Sequence, residues 1–405
     1  ALSAAYRITN EPFMSGVTGW LNDLKIRGGW GQLGNYDVAQ LAYLSPVEEK
    51  PTYSFGGSNG QGNVSTGAAV FTIPNPDLQW ERTTTTNIGF DAYLLNNNLG
   101  ISFDYYNKRT EDILQTVPLP SSVGVSLQPS GYIGDVVNRG IEIAANYQFS
   151  VGPVHLDIGA NITTVHNEVT KLQDGIPVYG GGLTLEEGQP INFIRGYQLG
   201  GIFTDQGQVD DFLASTEDEN YRSAEVAPGD LYFVDVAGAP AEEGTFISPE
   251  PDGVINFFDQ TFLGNTLPGY FYGFNLGVNM KGFSLSMQFT GVGDVSRYNL
   301  ERRELITTGF YGDNRLREVF NAWSESNPNS TIPRIIANDP AQNNRFSSRF
   351  IESGAYLRLN YLELGYTLPN PQKLGMSRAR IYVGGSNIFT AMEYTGLDPE
   401  SYDSP

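Results

Sequence analysis

The chain has 405 residues and a formal net charge of −21, with 24 lysines and arginines against 45 acidic residues. So acidic a chain excludes nucleic acid as a partner, since phosphate binding needs a basic face, and the lack of any cysteine excludes disulfides, thiolate chemistry and zinc–cysteine sites. Charged residues are 17% of the chain and aromatics 12%, yet no apolar run is long enough for a transmembrane helix.

That last exclusion leaves β-barrels untouched, because lumen-facing residues dilute their lipid-facing neighbours. The opening residues, ALSAAYRITNEPF, show no basic stretch followed by an apolar core. No signal peptide is expected there, and the chain reads as unexported or as part of a longer protein. Ser3–Ile8 and Leu24–Trp30 are predicted strands. Gln32 to Arg82 is rich in Gly, Asn, Ser and Pro without a sustained period, and a loop is expected. In Asn87–Leu95, Ile88, Phe90, Ala92 and Leu94 share one face, the period of two that marks a strand. Asn96–Asn98 is a turn signal. Ile101, Phe103 and Tyr105 then oppose Ser102, Asp104 and Tyr106, and a proline-containing loop is expected from Glu111 to Pro129. Ile141–Phe149 and Val154–Ile162 alternate in the same way around the short turn Ser150–Pro153. Ile194–Phe203 also reads as a strand, but would break the up-and-down parity. It is expected outside the wall, the alternative being a pair with Leu231–Val236.

Leu267 to Gly293 holds the clearest pattern. Tyr270, Tyr272, Phe274, Leu276, Val278 and Met280 share one face, and Phe283, Leu285, Met287 and Phe289 continue it beyond a turn at Lys281-Gly282. The other face carries Gly273, Asn275, Gly277 and Asn279, then Ser284, Ser286, Gln288 and Thr290. Each run is about ten residues, the length of a tilted bilayer-crossing strand. Tyr356–Leu368 and Arg380–Phe389 are the last predicted strands, joined across Pro369–Ser377. Short turns thus alternate with long loops at about 32–84, 204–266 and 294–350. An all-β, antiparallel, up-and-down transmembrane barrel of about ten strands is the fold expected, because a sandwich has no reason to sort its loops by end.

Several stretches resemble one family in order along the chain. LKIRGGWGQLGN (Leu24–Asn35), NPDLQWERTTTTNIGFD (Asn75–Asp91), YYNKRTEDIL (Tyr105–Leu114) and VNRGIE (Val137–Glu142) are similar to motifs of SusC/RagA-type TonB-dependent transporters. So are the Leu267–Gly293 hairpin and NIFTAMEYTGLDPE (Asn387–Glu400). The resemblance implies the C-terminal part of a barrel of about 22 strands with a plug folded inside. The plug, the first half of the barrel and a final strand are expected to lie outside this chain. It also implies an outer-membrane location and active import of oligosaccharide or oligopeptide. TonB would supply the energy through a segment absent here, a SusD-like surface lipoprotein would act as partner, and transporter–lipoprotein pairs would form a dimer.

Fourteen acidic residues and one base, Arg222, lie between Asp205 and Asp259. Most of this stretch reads as a solvated acidic loop. Within it, Pro228–Gly238 and Glu250–Gly264 resemble a family motif loosely like an EF-hand loop, split here by the insertion Ala239–Pro249. The resemblance puts Asp235, Asp252 and Asp259 at carboxylate positions and Gly253 at the turn, where they would hold a structural Ca²⁺ or Mg²⁺. Tyr53, Phe55, Tyr179, Tyr311, Phe320 and Trp323 are aromatics that could stack on a sugar or a peptide side chain; otherwise they pack their loops or sit at the membrane interface. No catalytic residue is assigned. His155 and His166 are the only histidines, His155 on the polar face of its strand, and no serine sits in a nucleophile elbow. A surface glycan-active enzyme or glycan-binding protein on a soluble β-fold is the alternative reading.

Overall fold

A computed structural model describes residues 1–17, 19–35, 43–45, 47–49, 51–55, 63–76, 78–116, 121–123, 130–180, 183–239, 248, 250–306 and 314–400. Ten strands form one antiparallel wall: β1 (Leu2–Arg7), β2 (Leu21–Asn35), β3 (Glu81–Leu94), β4 (Leu99–Thr116), β5 (Ser130–Val151), β6 (Val154–Thr164), β7 (Tyr270–Met280), β8 (Phe283–Gly293), β9 (Tyr356–Thr367) and β10 (Arg380–Met392). Each pairs with the next in chain order, so β1 and β10 are the two ends of the sheet. The register keeps the two faces apart across strands. Ile158, Leu276, Met287 and Leu362 stand opposite one another in an outer row, while Gly159, Asn275, Gln288 and Tyr361 form the inner row beside it. A slip of one residue would exchange the rows and put amides against lipid, which is why the register is firmly set.

Turn chemistry closes the hairpins at one end. Lys281 (φ 48°) and Gly282 (φ 91°) both adopt the left-handed region that a two-residue hairpin turn requires. Asn96 and Asn97 do the same between β3 and β4. On the inner face the Asn275 amide crosses over Gly159: a Cβ there would lie 2.2 Å from Asn275 Oδ1, so a larger residue would have to displace that side chain.

The expected strands are all present, but several are longer. β2 runs on to Asn35 and β3 begins at Glu81, inside the stretch expected as a loop. β4 reaches Thr116 and β5 starts at Ser130, narrowing the loop expected over Glu111–Pro129. Where both faces of a strand meet water, alternation fades while the backbone ladder continues. Two small hairpins, Thr52–Phe55 with Asn63–Thr66 and Val47–Glu48 with Ala69–Val70, also fall in the region read as structureless. Ile194–Tyr197 pairs with Gln260–Gly264, and Leu199–Ile202 with Leu231–Phe233. The extra strand therefore lies outside the wall and still finds the partner named as its alternative.

The long connections β6–β7 and β8–β9 fold together at the end opposite the short turns. Helices α1 (Gln206–Ser215) and α2 (Glu219–Ser223) form in the acidic stretch, with the Asp205 carboxylate capping α1 through Gln208 N at 3.0 Å. Tyr221, Leu231, Phe233 and Ile255 make a buried core against Tyr197, Ile202 and Phe212. Asp230, fully buried, joins the two connections: Arg334 Nε and Nη2 donate to it at 2.9 and 2.8 Å, and Asn343 Nδ2 at 3.0 Å. A third helix, α3 (Leu300–Ile306), packs by a second core of Tyr298, Ile306 and Phe350.

Candidate functional site

A barrel wall presents an inner face and a mouth. On the inner face, small and amide side chains keep the surface polar. Near β2 an ion network adds to them: the Arg27 guanidinium holds both Asp104 oxygens and reaches Asp91 at 3.2 Å, while Ser102 donates to Asp91 at 3.0 Å. The charges are neutralised in place, so this part of the wall is a scaffold rather than a free binding group.

At the mouth, the C-terminal motif closes over β9. Arg358, on that strand, donates to both oxygens of Asp398 at 2.9 and 3.1 Å and to Glu400; Tyr356 Oη also reaches Glu400, and Arg297 Nε donates to Pro399 O at 3.1 Å. Each residue of the Asp398-Pro399-Glu400 triplet is thereby tied down. The Arg358 guanidinium thus holds both carboxylates of the triplet at once.

The three acids expected at a cation site lie in the folded loop module, not in a solvated loop. Asp259 is fully buried; its Oδ1 accepts from Val236 N and Ala237 N at 3.0 and 3.3 Å and its Oδ2 from Asn256 N at 2.7 Å. Asp235 Oδ2 accepts from Gly253 N at 2.6 Å, with Gly253 at φ +83°, and Asp235 Oδ1 is buried without a hydrogen-bond partner. Asp252 turns to Val254 N and Ala239 N at 2.9 and 3.2 Å. Burial, and then the neighbouring Asp259 and Asp252, raise the Asp235 pKa above the ordinary carboxylate value. The insertion leaves between Gly238 and Ser248, which form an antiparallel bridge. Among the described residues no group of three or more such side chains is arranged to hold a metal ion.

The candidate aromatics scatter. Tyr311 lies outside the described residues, as do the side chains of Tyr53 and Phe55. Tyr179 stacks under the Arg195 guanidinium, 3.9 Å from its ring centre, and donates to Glu186 at 2.6 Å. Trp323 packs on Gly229, whereas Phe320 is 91% exposed. His155 meets Ser150 Oγ at 2.7 Å and His166 meets Glu168 at 3.2 Å. What sequence reading missed is the arginine set of the mouth, Arg297, Arg334 and Arg358. Only the acidic partners advertised it, in the DPE triplet.

Comparison with known proteins identifies this architecture. The model of the family described as TonB dependent receptor-like, beta-barrel matches residues 1–279. TonB-dependent receptor P3 of Formosa agariphila is 29% identical over 98% of this chain, and TonB-dependent receptor SusC of Bacteroides thetaiotaomicron 25% identical over 99%. The RagAB peptide transporter superposes with a TM-score of 0.75 at 23% identity over 98% of the chain, which shows a shared fold. The chain spans 38% and 37% of the two relatives' lengths and 40% of the RagAB chain. These relatives are receptors and transporters rather than enzymes, and their barrels belong to the outer membrane. A family model matched over more than half of the chain, together with an antiparallel β meander, settles the affiliation: the chain belongs to the TonB-dependent receptor-like β-barrel family.

Proposed function

We propose that this chain is the C-terminal wall and mouth of an outer-membrane importer for oligomeric nutrients, glycan or peptide. The plug and first barrel half lie elsewhere in the protein, TonB energises uptake, and a SusD-like lipoprotein works at the mouth of each transporter in a paired assembly. The observation that supports this reading best is the sorting of connections. The short turns lie at one end of the sheet, and the long β6–β7 and β8–β9 connections fold together at the other, where a solute would first be met. One named neighbour in structure is a peptide transporter and one relative in sequence is SusC. The test is growth on oligosaccharide or oligopeptide as sole carbon source, with this gene deleted, with TonB deleted, and with the adjacent lipoprotein gene deleted. Loss of growth in all three is expected. Uptake that survives loss of TonB overturns the reading.

A structural cation in the loop module is a second reading, favoured by the buried, unpartnered Asp235 Oδ1. Asp235 and Asp259 would hold the ion, with Asp252 adding charge, and Ca²⁺ or Mg²⁺ would supply the positive charge that no lysine or arginine of the described residues brings to them. Ca²⁺ after chelation should raise the melting temperature of the intact transporter, and Asp235→Asn should abolish the shift. An unchanged wild type removes the ion.

A further inference from the structure

Most arginines at the mouth hold oxygen partners. Arg297 donates to the carbonyls of Thr266 and Pro399, Arg334 to Asp230, and Arg358 to Asp398 and Glu400. Arg349 differs. It lies in the 3-10 turn Ser348–Phe350, immediately before the strand Ile351–Ser353 that leads into β9. Its Nη1 is buried without a partner, and its guanidinium makes no hydrogen bond or ion pair with the described residues. Its guanidinium lies over the face of Phe350, 5.0 Å from the ring centre.

The acids whose field reaches Arg349 are already engaged. Asp339 accepts from Asn343 N at 2.8 Å and from Asn344 N at 3.0 Å, and Glu318 is held by Arg302 Nη2 at 2.9 Å. Arg302 adds a second positive charge beside the first. Burial, and then Arg302, push the Arg349 pKa down to about 10, which still leaves it charged at neutral pH. Two residues earlier, the fully buried Ser347 also leaves its Oγ without a partner.

A guanidinium cannot escape the cost of partial burial by shedding a proton, and a nitrogen sealed off without an acceptor is destabilising. One explanation for such a group is an ion from outside that completes it. The planar fork of arginine matches the paired oxygens of a carboxylate or a sulfate, and it binds either in bidentate fashion. We propose that Arg349, with Arg302 beside it, is an oxyanion-binding site at the mouth of the barrel, taking a carboxylate or sulfate group of the imported molecule. Giving the anion to the cargo rests on the import reading; the site itself does not.

The test uses the full-length transporter, purified in detergent, with sodium sulfate and sodium acetate as probes against sodium chloride at constant ionic strength. Melting temperature is followed for the wild type, Arg349→Gln and Arg349→Lys. One of the two probes should raise the wild-type melting temperature saturably, sulfate pointing to sulfated cargo and acetate to a carboxylate. Arg349→Gln should need at least about tenfold more anion for half the effect. Arg349→Lys, which keeps the charge but not the fork, should fall between. A wild type that neither probe shifts overturns the site, as does equal half-saturation in Arg349→Gln. Should Arg349→Gln fail to fold, half-saturation in Arg349→Lys equal to the wild type overturns it instead. Anion binding in a protein that supports no TonB-dependent uptake would leave the site standing and sink the import reading; uptake without any anion effect would do the reverse.

Discussion

In the hairpin β7–β8 the large apolar side chains point away from the chain, with Phe274 38% and Phe283 53% exposed; in the loop module Val209, Leu231 and Phe350 are buried to within 0%. The polar groups are reversed as well. The wall's amides face the lumen side, while the module's Asp218, Asp230 and Asp259 are sealed inside it. One half of the chain leaves its apolar surface for lipid to cover, and the other builds an interior as a water-soluble domain does. In the wall the backbone ladder satisfies every neighbour in turn, so each strand depends on the next. In the module a few buried polar links join segments far apart in sequence. A substitution should therefore spread differently in the two regions, and the predictions test that difference.

Asp230→Ala should have the largest effect. It removes the buried carboxylate that Arg334 and Asn343 both donate to, a loss of about 3–5 kcal/mol. Hydrogen exchange should show lost protection over Tyr197–Gly264 and around Arg334, with β7 and β8 unchanged. Equal loss in the wall would mean that the two regions are not separate units.

Leu276→Arg, on the outer row between Ile158 and Met287, should cost about 2–4 kcal/mol near the bilayer midplane. Asn275→Arg, one residue away on the inner row, should cost much less. Urea titration of the intact transporter refolded into bilayers reads both, and equal costs would undo the assignment of faces.

Gly291→Ala tests the close packing of the wall. A Cβ there would lie 2.4 Å from the Tyr272 ring and 2.5 Å from Tyr356 O. Displacing the tyrosine should cost about 1–3 kcal/mol, in the range of overpacked cores. The same urea titration measures it; a neutral outcome would show that Tyr272 moves freely.

The smallest effect is in pH. The Asp235 pKa is raised in the folded module, so the neutral acid is the better-tolerated form. Its contribution is full below the ordinary carboxylate value and is lost as pH rises through the raised one. The module should lose stability over that window in the presence of chelator, and Asp235→Asn should flatten the slope. A slope that is unchanged in the variant assigns the dependence to another group.

The ten wall strands could be read from the chain because each carries its own instruction: alternation is local, and Phe274 or Leu285 faces outward whatever lies elsewhere. Lys281-Gly282 and Asn96–Asn98 likewise mark their turns by their own backbone preferences. Strand ends such as Asn35, Glu81 and Thr116 were not visible, since a ladder in water needs no apolar face. The acidic stretch misled because charge alone cannot tell a carboxylate in solvent from one that, like Asp259, accepts three backbone N–H groups in a sealed interior. Asp230 meets Arg334 across 104 positions and Leu231 meets Asn343 across 112. No periodicity reaches that far. The same distance hid Arg349, whose character depends on which acids nearby are already taken. Its lack of a partner is a property of the packed loops, decided only when the two connections close on each other.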